Sequence, residues 1–170
     1  MNAIPEIINN FNVYKDGNQL IGVSGEITLP DFEAVTESIS GAGILGEFEA
    51  INPGQFGAQE FEVPFRLCYG DIYQLLGNQP VNLTLRGAMQ IANGSGEMEF
   101  KGMRVIVQGA AKKFTGGTVS AGKPTSSSVT LALTYIKVEI DGKTEIELDK
   151  LNSRYVVNDT DVLTPIRELI

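Results

Sequence analysis

Gly41-Ala42-Gly43-Ile44-Leu45-Gly46 has the spacing G-x-G-x-x-G, which in a dinucleotide site lets a tight turn bring backbone amides against a pyrophosphate. That chemistry requires a buried strand before the glycines and a helix after them. Here Glu33-Ala34-Val35-Thr36-Glu37-Ser38-Ile39-Ser40 precedes them, too polar for a central parallel strand. Glu47, Glu49 and Pro53 stand where the helix would run. The six residues therefore read as a flexible loop tip, with no nucleotide and no other cofactor. Other reactive side chains are few. The chain has no histidine and one cysteine, Cys68. This excludes Ser-His-Asp and Cys-His sets, histidine-ligated metals, an internal disulfide and multi-cysteine zinc sites. Cys68 follows the apolar-alternating run 61–67 and is expected to be a buried small hydrophobe. A calcium ion takes about six to eight oxygen ligands, and neither Asp159-Thr160-Asp161 nor the pair Glu47 and Glu49 offers that set, so no metal is expected. Catalysis by two facing carboxylates alone would need a pocket, and no segment looks able to build one. The chain is read as a scaffold and not as an enzyme.

The elements that would carry such a scaffold are β-hairpins. Phe11-Asn12-Val13-Tyr14 leads into Asp16-Gly17 and is expected to return through residues 19–23. Near the other end, residues 134–140 turn at Asp141-Gly142 and return as 143–149. Asp-Gly between alternating runs signals a type I′ turn, because both central residues need positive φ. Between these hairpins, residues 26–29 read as a strand stopped by Pro30, and 60–68 as a strand whose Pro64 demands an edge or a bulge. Residues 69–76 form the best short helix, with Ile72, Leu75 and Leu76 on one face. Residues 81–91 and 97–109 pair across Asn93-Gly94-Ser95-Gly96, and 110–128 is a polar surface loop. The strand 129–140 changes its apolar register from odd positions (Val129, Leu131, Leu133) to even ones (Ile136, Val138, Ile140) near Tyr135. A β-bulge, or passage from one sheet to another, explains such a switch. The fold class is mainly β: an antiparallel β-sandwich or half-barrel with one short α-helix.

Taken in order, Gly22-Val23, Ile27-Thr28-Leu29-Pro30, Gly41-Ala42-Gly43, Thr134-Tyr135, Asp141-Gly142-Lys143, Ile146, Leu148-Asp149 and Asn152 resemble the major tail tube protein of contractile-tailed phages, the FII-like family. Tube subunits of R-type contractile bacteriocins are of the same kind. The match lies in the first hairpin, the glycine loop and the end of the chain, while the middle agrees in strand pattern. The resemblance implies a virion structural protein that forms hexameric rings, their strands joined into a continuous inner barrel, stacked as a hollow tail tube. Its implied partners are further copies of itself, a tail sheath protein, and tape-measure and baseplate proteins, with DNA only as passing cargo. The implied location is a phage tail or a headless bacteriocin particle (a tailocin), assembled in the host cytoplasm. The alternative is a monomeric ligand- or carbohydrate-binding β-sandwich, for which the chain lacks tryptophan platforms.

Composition agrees with one globular domain over residues 1–170: 42% hydrophobic and 20% charged, with 13 Lys and Arg against 21 Asp and Glu. The net charge of −8 and the absence of any basic run beyond Lys112-Lys113 argue against stable binding of nucleic acid. An acidic lumen would let cargo slide, with Glu60, Glu62, Glu97 and Glu99 as candidates on polar strand faces. The N-terminus shows no basic residues ahead of an apolar stretch, so no leader is expected. Two segments lack an intramolecular role. Residues 31–59 read as an extended arm or loose hairpin whose tip, Gly41, Ala42, Gly43, Ile44, Leu45 and Gly46, is placed by the resemblance against the next ring. In the C-terminal tail, Ile166, Leu169 and Ile170 are poor choices for a solvated end and are expected to dock on a neighbouring subunit.

Overall fold

The computed structural model of the chain describes residues 3–170. Strand β1 (Ile4–Lys15) turns through Asp16 and Gly17, at φ of 49° and 83°, into β2 (Asn18–Gln19). Positive φ at both positions is the type I′ geometry that Asp-Gly favours. The return strand stops at Gln19 instead of reaching Val23, because Leu20 swings into the core and its amide bonds the Val13 carbonyl at 2.8 Å. The strand expected at 26–29 does not form. That stretch is irregular, with Ser24 N–H donating to the Pro64 carbonyl at 2.8 Å, and Ile27 and Phe32 packed against the core. Next come β3 (Ala34–Ser40) and β4 (Glu47–Phe56), a separate two-stranded sheet. They are followed by β5 (Glu60–Phe65), helix α1 (Gly70–Tyr73), β6 (Val81–Ala92), β7 (Met98–Thr115), β8 (Ser127–Ile140), β9 (Lys143–Asp149), β10 (Arg154–Val157), β11 (Thr160–Asp161) and helix α2 (Thr164–Arg167).

The main sheet is antiparallel and runs in the order β11-β10-β9-β8-β7-β6-β1-β2, with β5 also paired to β8. Alternation explains its core. Val13 on β1, Leu83 and Leu85 on β6, Val105 and Val107 on β7, and Phe61, Val63 and Phe65 on β5 all point inward and are buried. Ile72 and Leu75 of the α1 turn join them in the same cluster. The helix is one turn long, shorter than the 69–76 pattern suggested, and ends as Leu75 donates to the Ile72 carbonyl at 3.3 Å. Pro64 sits on an edge, where its missing N–H costs nothing: β5 pairs only with β8, and its other side meets residues 22–24 through single bonds.

Three further departures from the sequence pattern have local causes. Strand β7 continues to Thr115, through residues expected to be loop, because 110–115 pair with 128–132 of β8 around a bulge at Lys112. Cys68 is half-exposed, with its Sγ 2.8 Å from the Tyr73 hydroxyl and its N–H bonded to Thr125 Oγ1 at 2.9 Å, because the strand ends at Phe65 and leaves Leu67 exposed. A second helix, α2, occupies the tail, with Pro165 in its first turn, where a missing N–H is tolerated.

The register switch in β8 is a bulge at Thr134. Tyr135 pairs with Gln108 and Leu133 with Gly109, which leaves Thr134 without an opposite residue. Thr134 Oγ1 donates to the Gln108 carbonyl at 3.4 Å, and the Thr134 carbonyl accepts Lys150 N–H at 3.0 Å. The extra residue puts Leu133 and Ile136 on the same, buried face. It is also where β8 changes neighbours, from β5 (residues 127–132) to β9 (residues 135–140). Gly109 faces the bulge so closely that an added Cβ would lie 2.8 Å from the Ala132 carbonyl carbon and 3.1 Å from Leu133 Cα. Gly109→Ala is therefore expected to lower stability by about 3 kcal/mol, read as a fall in urea midpoint. Gly102→Ala, in the same strand with open space around it, should change it by less than about 1 kcal/mol.

Candidate assembly surfaces

Beyond the core, residues 4–10 of β1, 88–92 of β6 and 98–104 of β7 extend as a three-stranded flap. Its outer strand is an open edge: β2 covers only Tyr14 and Lys15 and Leu20 N–H takes the Val13 carbonyl, so β1 from Ile4 to Asn12 has no partner strand on that side among the described residues. Two bulges, at Glu6 and Asn9, interrupt that edge. Both bulged residues hold the same side chain, Glu6 accepting from Gln90 Nε2 at 2.7 Å and Asn9 donating to Gln90 Oε1 at 2.8 Å. Because Glu6 is the inserted residue, Ile4 and Ile7 fall on one face, in rows with Met98 and Phe100. All four are more than half exposed. At the tip, Asn93 Nδ2 donates to Glu97 at 3.1 Å and to Glu99 at 3.2 Å, while Asn93 Oδ1 accepts the amides of Ser95 and Glu97.

The same face of the sheet, nearer its centre, carries a charge network that sequence inspection did not single out. Arg86 and Arg104 are cross-strand partners, an arrangement of like charges that is unfavourable when uncompensated. Arg104 Nε donates to Glu139 at 2.7 Å, Lys137 Nζ lies 2.8 Å from the other Glu139 oxygen, and Arg86 lies 5.2 Å above the Tyr14 ring. The Lys137 hydrogen bond, helped by Arg104, holds the Glu139 carboxyl below the usual carboxylate range. Farther along, Tyr135 donates to Glu147 at 3.1 Å. Burial first, and the Glu147 charge second, push the Tyr135 hydroxyl up to about 12. Alternation alone puts Arg86 on a polar face, but the register that sets it against Arg104 arises only from the 81–109 pairing.

Residues 41–46 form the tip of the β3-β4 hairpin. Gly41, Gly43 and Gly46 have φ of 155°, 87° and 90°, and Ile44 N–H bonds the Gly41 carbonyl at 3.1 Å. An antiparallel strand follows the glycines where a nucleotide fold would have a helix. Leu45 is fully exposed. The hairpin base is pinned by Phe32, Phe56 and Tyr155, stacked edge to face at 5.5 and 5.2 Å. The C-terminal tail meets this base and not the tip, since the Leu163 side chain fills the space beside Gly54. Arg167 then ties the tail down through Asp161 at 3.0 Å and the Ser153 carbonyl at 2.9 Å. That hydrogen bond draws the Asp161 carboxyl below its usual range. Ile166, Leu169 and Ile170 remain exposed. The four acidic lumen candidates separate: Glu97 and Glu99 lie at the flap tip, while Glu60, paired with Lys112, and Glu62 lie on β5.

Comparison with known proteins identifies the class. A family model described as phage tail tube protein FII matches residues 5–170. The tail tube protein of Escherichia phage P2 is 26% identical, over 99% of this chain and 98% of its own length. The major tail tube protein of Serratia phage KSP20 is 27% identical, over 90% and 88%. Among solved structures, the sheath/tube terminator of the extracellular contractile injection system PVC aligns at a TM-score of 0.55 and 14% identity, covering 79% of this chain and 96% of that one. A chain of the PVC sheath-tube complex aligns at 0.52 and 15%, covering 76% and 88%. The chain belongs to the phage tail tube protein FII family. Its role is that of a structural subunit of a tail tube, in a virion tail or a tailocin particle.

The charge network yields a pH prediction. The folded Glu139 carboxyl sits below its unfolded value near 4.5, so its stabilising effect is complete above that pH and fades as the pH falls through the lower folded value. Glu139→Gln should lower stability by about 1–3 kcal/mol at neutral pH. In strong acid the urea midpoints of parent and variant should converge.

Proposed function

We propose that the subunits close into hexameric rings that stack into a hollow tube inside a contractile sheath, and that the chain works mechanically, with no catalytic step. The observation that carries this reading is the open β1 edge. Without a partner strand from Ile4 to Asn12 among the described residues and flanked by exposed isoleucines, it is an aggregation hazard in a monomer and a joint in a ring. A strand of the next subunit laid along it would continue the sheet into a closed barrel and remove the edge. The matched chains come from a sheath/tube terminator and a sheath-tube complex, which supports a sheath protein as partner. Tape-measure and baseplate proteins complete the set, with DNA as passing cargo and assembly in the host cytoplasm.

Within that assembly, the chain acts as one tail tube domain over 1–170 with an arm at about 31–59. The tip Gly41, Ala42, Gly43, Ile44, Leu45 and Gly46 contacts the next ring, supported by the exposure of Leu45 at the end of a hairpin whose base is anchored. Ile166, Leu169 and Ile170 dock on a neighbouring subunit, supported by their exposure on a tail that Arg167 holds in place. A monomeric ligand-binding sandwich is the reading displaced.

Raised concentration should drive the parent protein into rings or tubes visible by negative-stain microscopy. Replacing residues 41–46 with a Gly-Ser linker of equal length should leave β circular dichroism unchanged and abolish tubes. Loss of that signal would make the segment part of the core and overturn its assignment. Assembled tubes should retain no duplex DNA in a gel shift, at physiological or at low salt, whereas a phosphate-binding protein would tighten steeply as salt falls.

A further inference from the structure

Strand β7 joins two surfaces of opposite charge. At its start lies the flap tip, where Glu6, Glu97 and Glu99 have amide partners and no cation among the described residues. On the face of the flap opposite Glu97 and Glu99, Ile4, Ile7, Met98 and Phe100 are exposed in two adjacent rows. At its finish lie Lys112 and Lys113, followed by a loop, 116–126, that carries Lys123 and no carboxylate. Lys112 pairs with Glu60, and Glu62 lies two strands from Lys113 in one row through Thr130, but neither Lys113 nor Lys123 has a carboxylate at ion-pair distance among the described residues. This end is also apolar: Phe114 packs 5.8 Å from Tyr73, both partly exposed, and Val119 is almost fully exposed. Phe100 and Phe114 are separated by on the order of 40 Å of strand, so the two surfaces cannot meet within one chain.

We propose that these two surfaces bind each other between copies: the acidic apolar flap tip of one subunit docks on the basic apolar end of a subunit in the adjoining ring. The inference rests on the tube reading and adds to it the pair of surfaces that sets the direction of stacking. Charge complementarity names the occupant. A self-complementary two-fold contact would oppose like charges, whereas a head-to-tail contact opposes Glu97 and Glu99 to Lys113 and Lys123. A single kind of contact repeats without end only when it is head-to-tail, which suits a stack of identical rings. At each end the apolar side chains on one face of the strand supply area to bury, and the charges on the other exclude the wrong orientation.

The test is a charge exchange read by microscopy and sedimentation, with circular dichroism to show that each variant is folded. Glu97→Lys with Glu99→Lys, and separately Lys113→Glu with Lys123→Glu, should each raise the concentration needed for tubes by about tenfold or more. The chain carrying all four substitutions should recover tubes, because its ends are again complementary. As a check independent of charge reversal, Phe100→Ser should weaken tube formation while leaving rings intact. Tubes that form equally well from the parent and from both double variants would overturn the proposal alone. Failure of the fourfold variant to recover where the parent assembles would overturn it too. A parent chain that stays monomeric at every concentration would overturn the tube reading along with it.

Discussion

The fold turns on the bulge at Thr134. One extra residue in β8 lets a single strand serve two different neighbours, β5 before it and β9 after it, while β7 runs along the whole of its opposite side. Without the insertion, Ile136 would share a face with Thr134 and Ala132 and not with Leu133, and half of the apolar side chains of β8 would face water. The bulge requires an opposite residue with no side chain, and Gly109 fills that requirement. The buried set drawn from β5, β6, β7, β8 and α1 therefore depends on one contact between two backbones.

The sheet spends its exposed face on compensated charge and its exposed edge on nothing. Arg104, Lys137 and Glu139 neutralise one another in part, and Glu147 accepts from Tyr135 while Arg154 lies 3.7 Å away. The β1 edge, in contrast, is left open over most of its length, with two bulges twisting it and a glutamine amide holding both in place. In an ordinary monomer, natural edges are shortened, charged or covered. Among the described residues this edge is protected only by bulges, as suits the ring joint proposed for it.

What could be read from the residues was local. Both Asp-Gly turns adopt the backbone they imply, because the signal lies in two adjacent residues and their φ preferences. The glycine run at 41–46 was legible as a loop for the same reason. The bulge in β8 was legible as a change of phase. What was lost depended on partners distant in sequence. Residues 110–115, Ala-Ala-Lys-Lys-Phe-Thr, show no alternation and become strand because 128–132 pair with them. Residues 26–29 alternate and stay irregular: the segment before them bonds the β5 edge only through Ser24 to Pro64 and Arg66 to Gly22, and 26–29 themselves join no ladder. The Arg86–Arg104–Glu139 cluster and the clamp on Gln90 each need a cross-strand register that no local pattern specifies.

The length of β7 has a mechanical consequence. At 18 residues it spans from the flap tip to the loop at 116, paired with β6 over 98–109 and with β8 over 103–115. A pull applied between its two ends runs parallel to the strand and perpendicular to its ladder of hydrogen bonds. Those bonds then share the load and must yield together, where a force across the sheet would open them singly. A subunit strung on such a strand is stiffest along the direction of β7 itself.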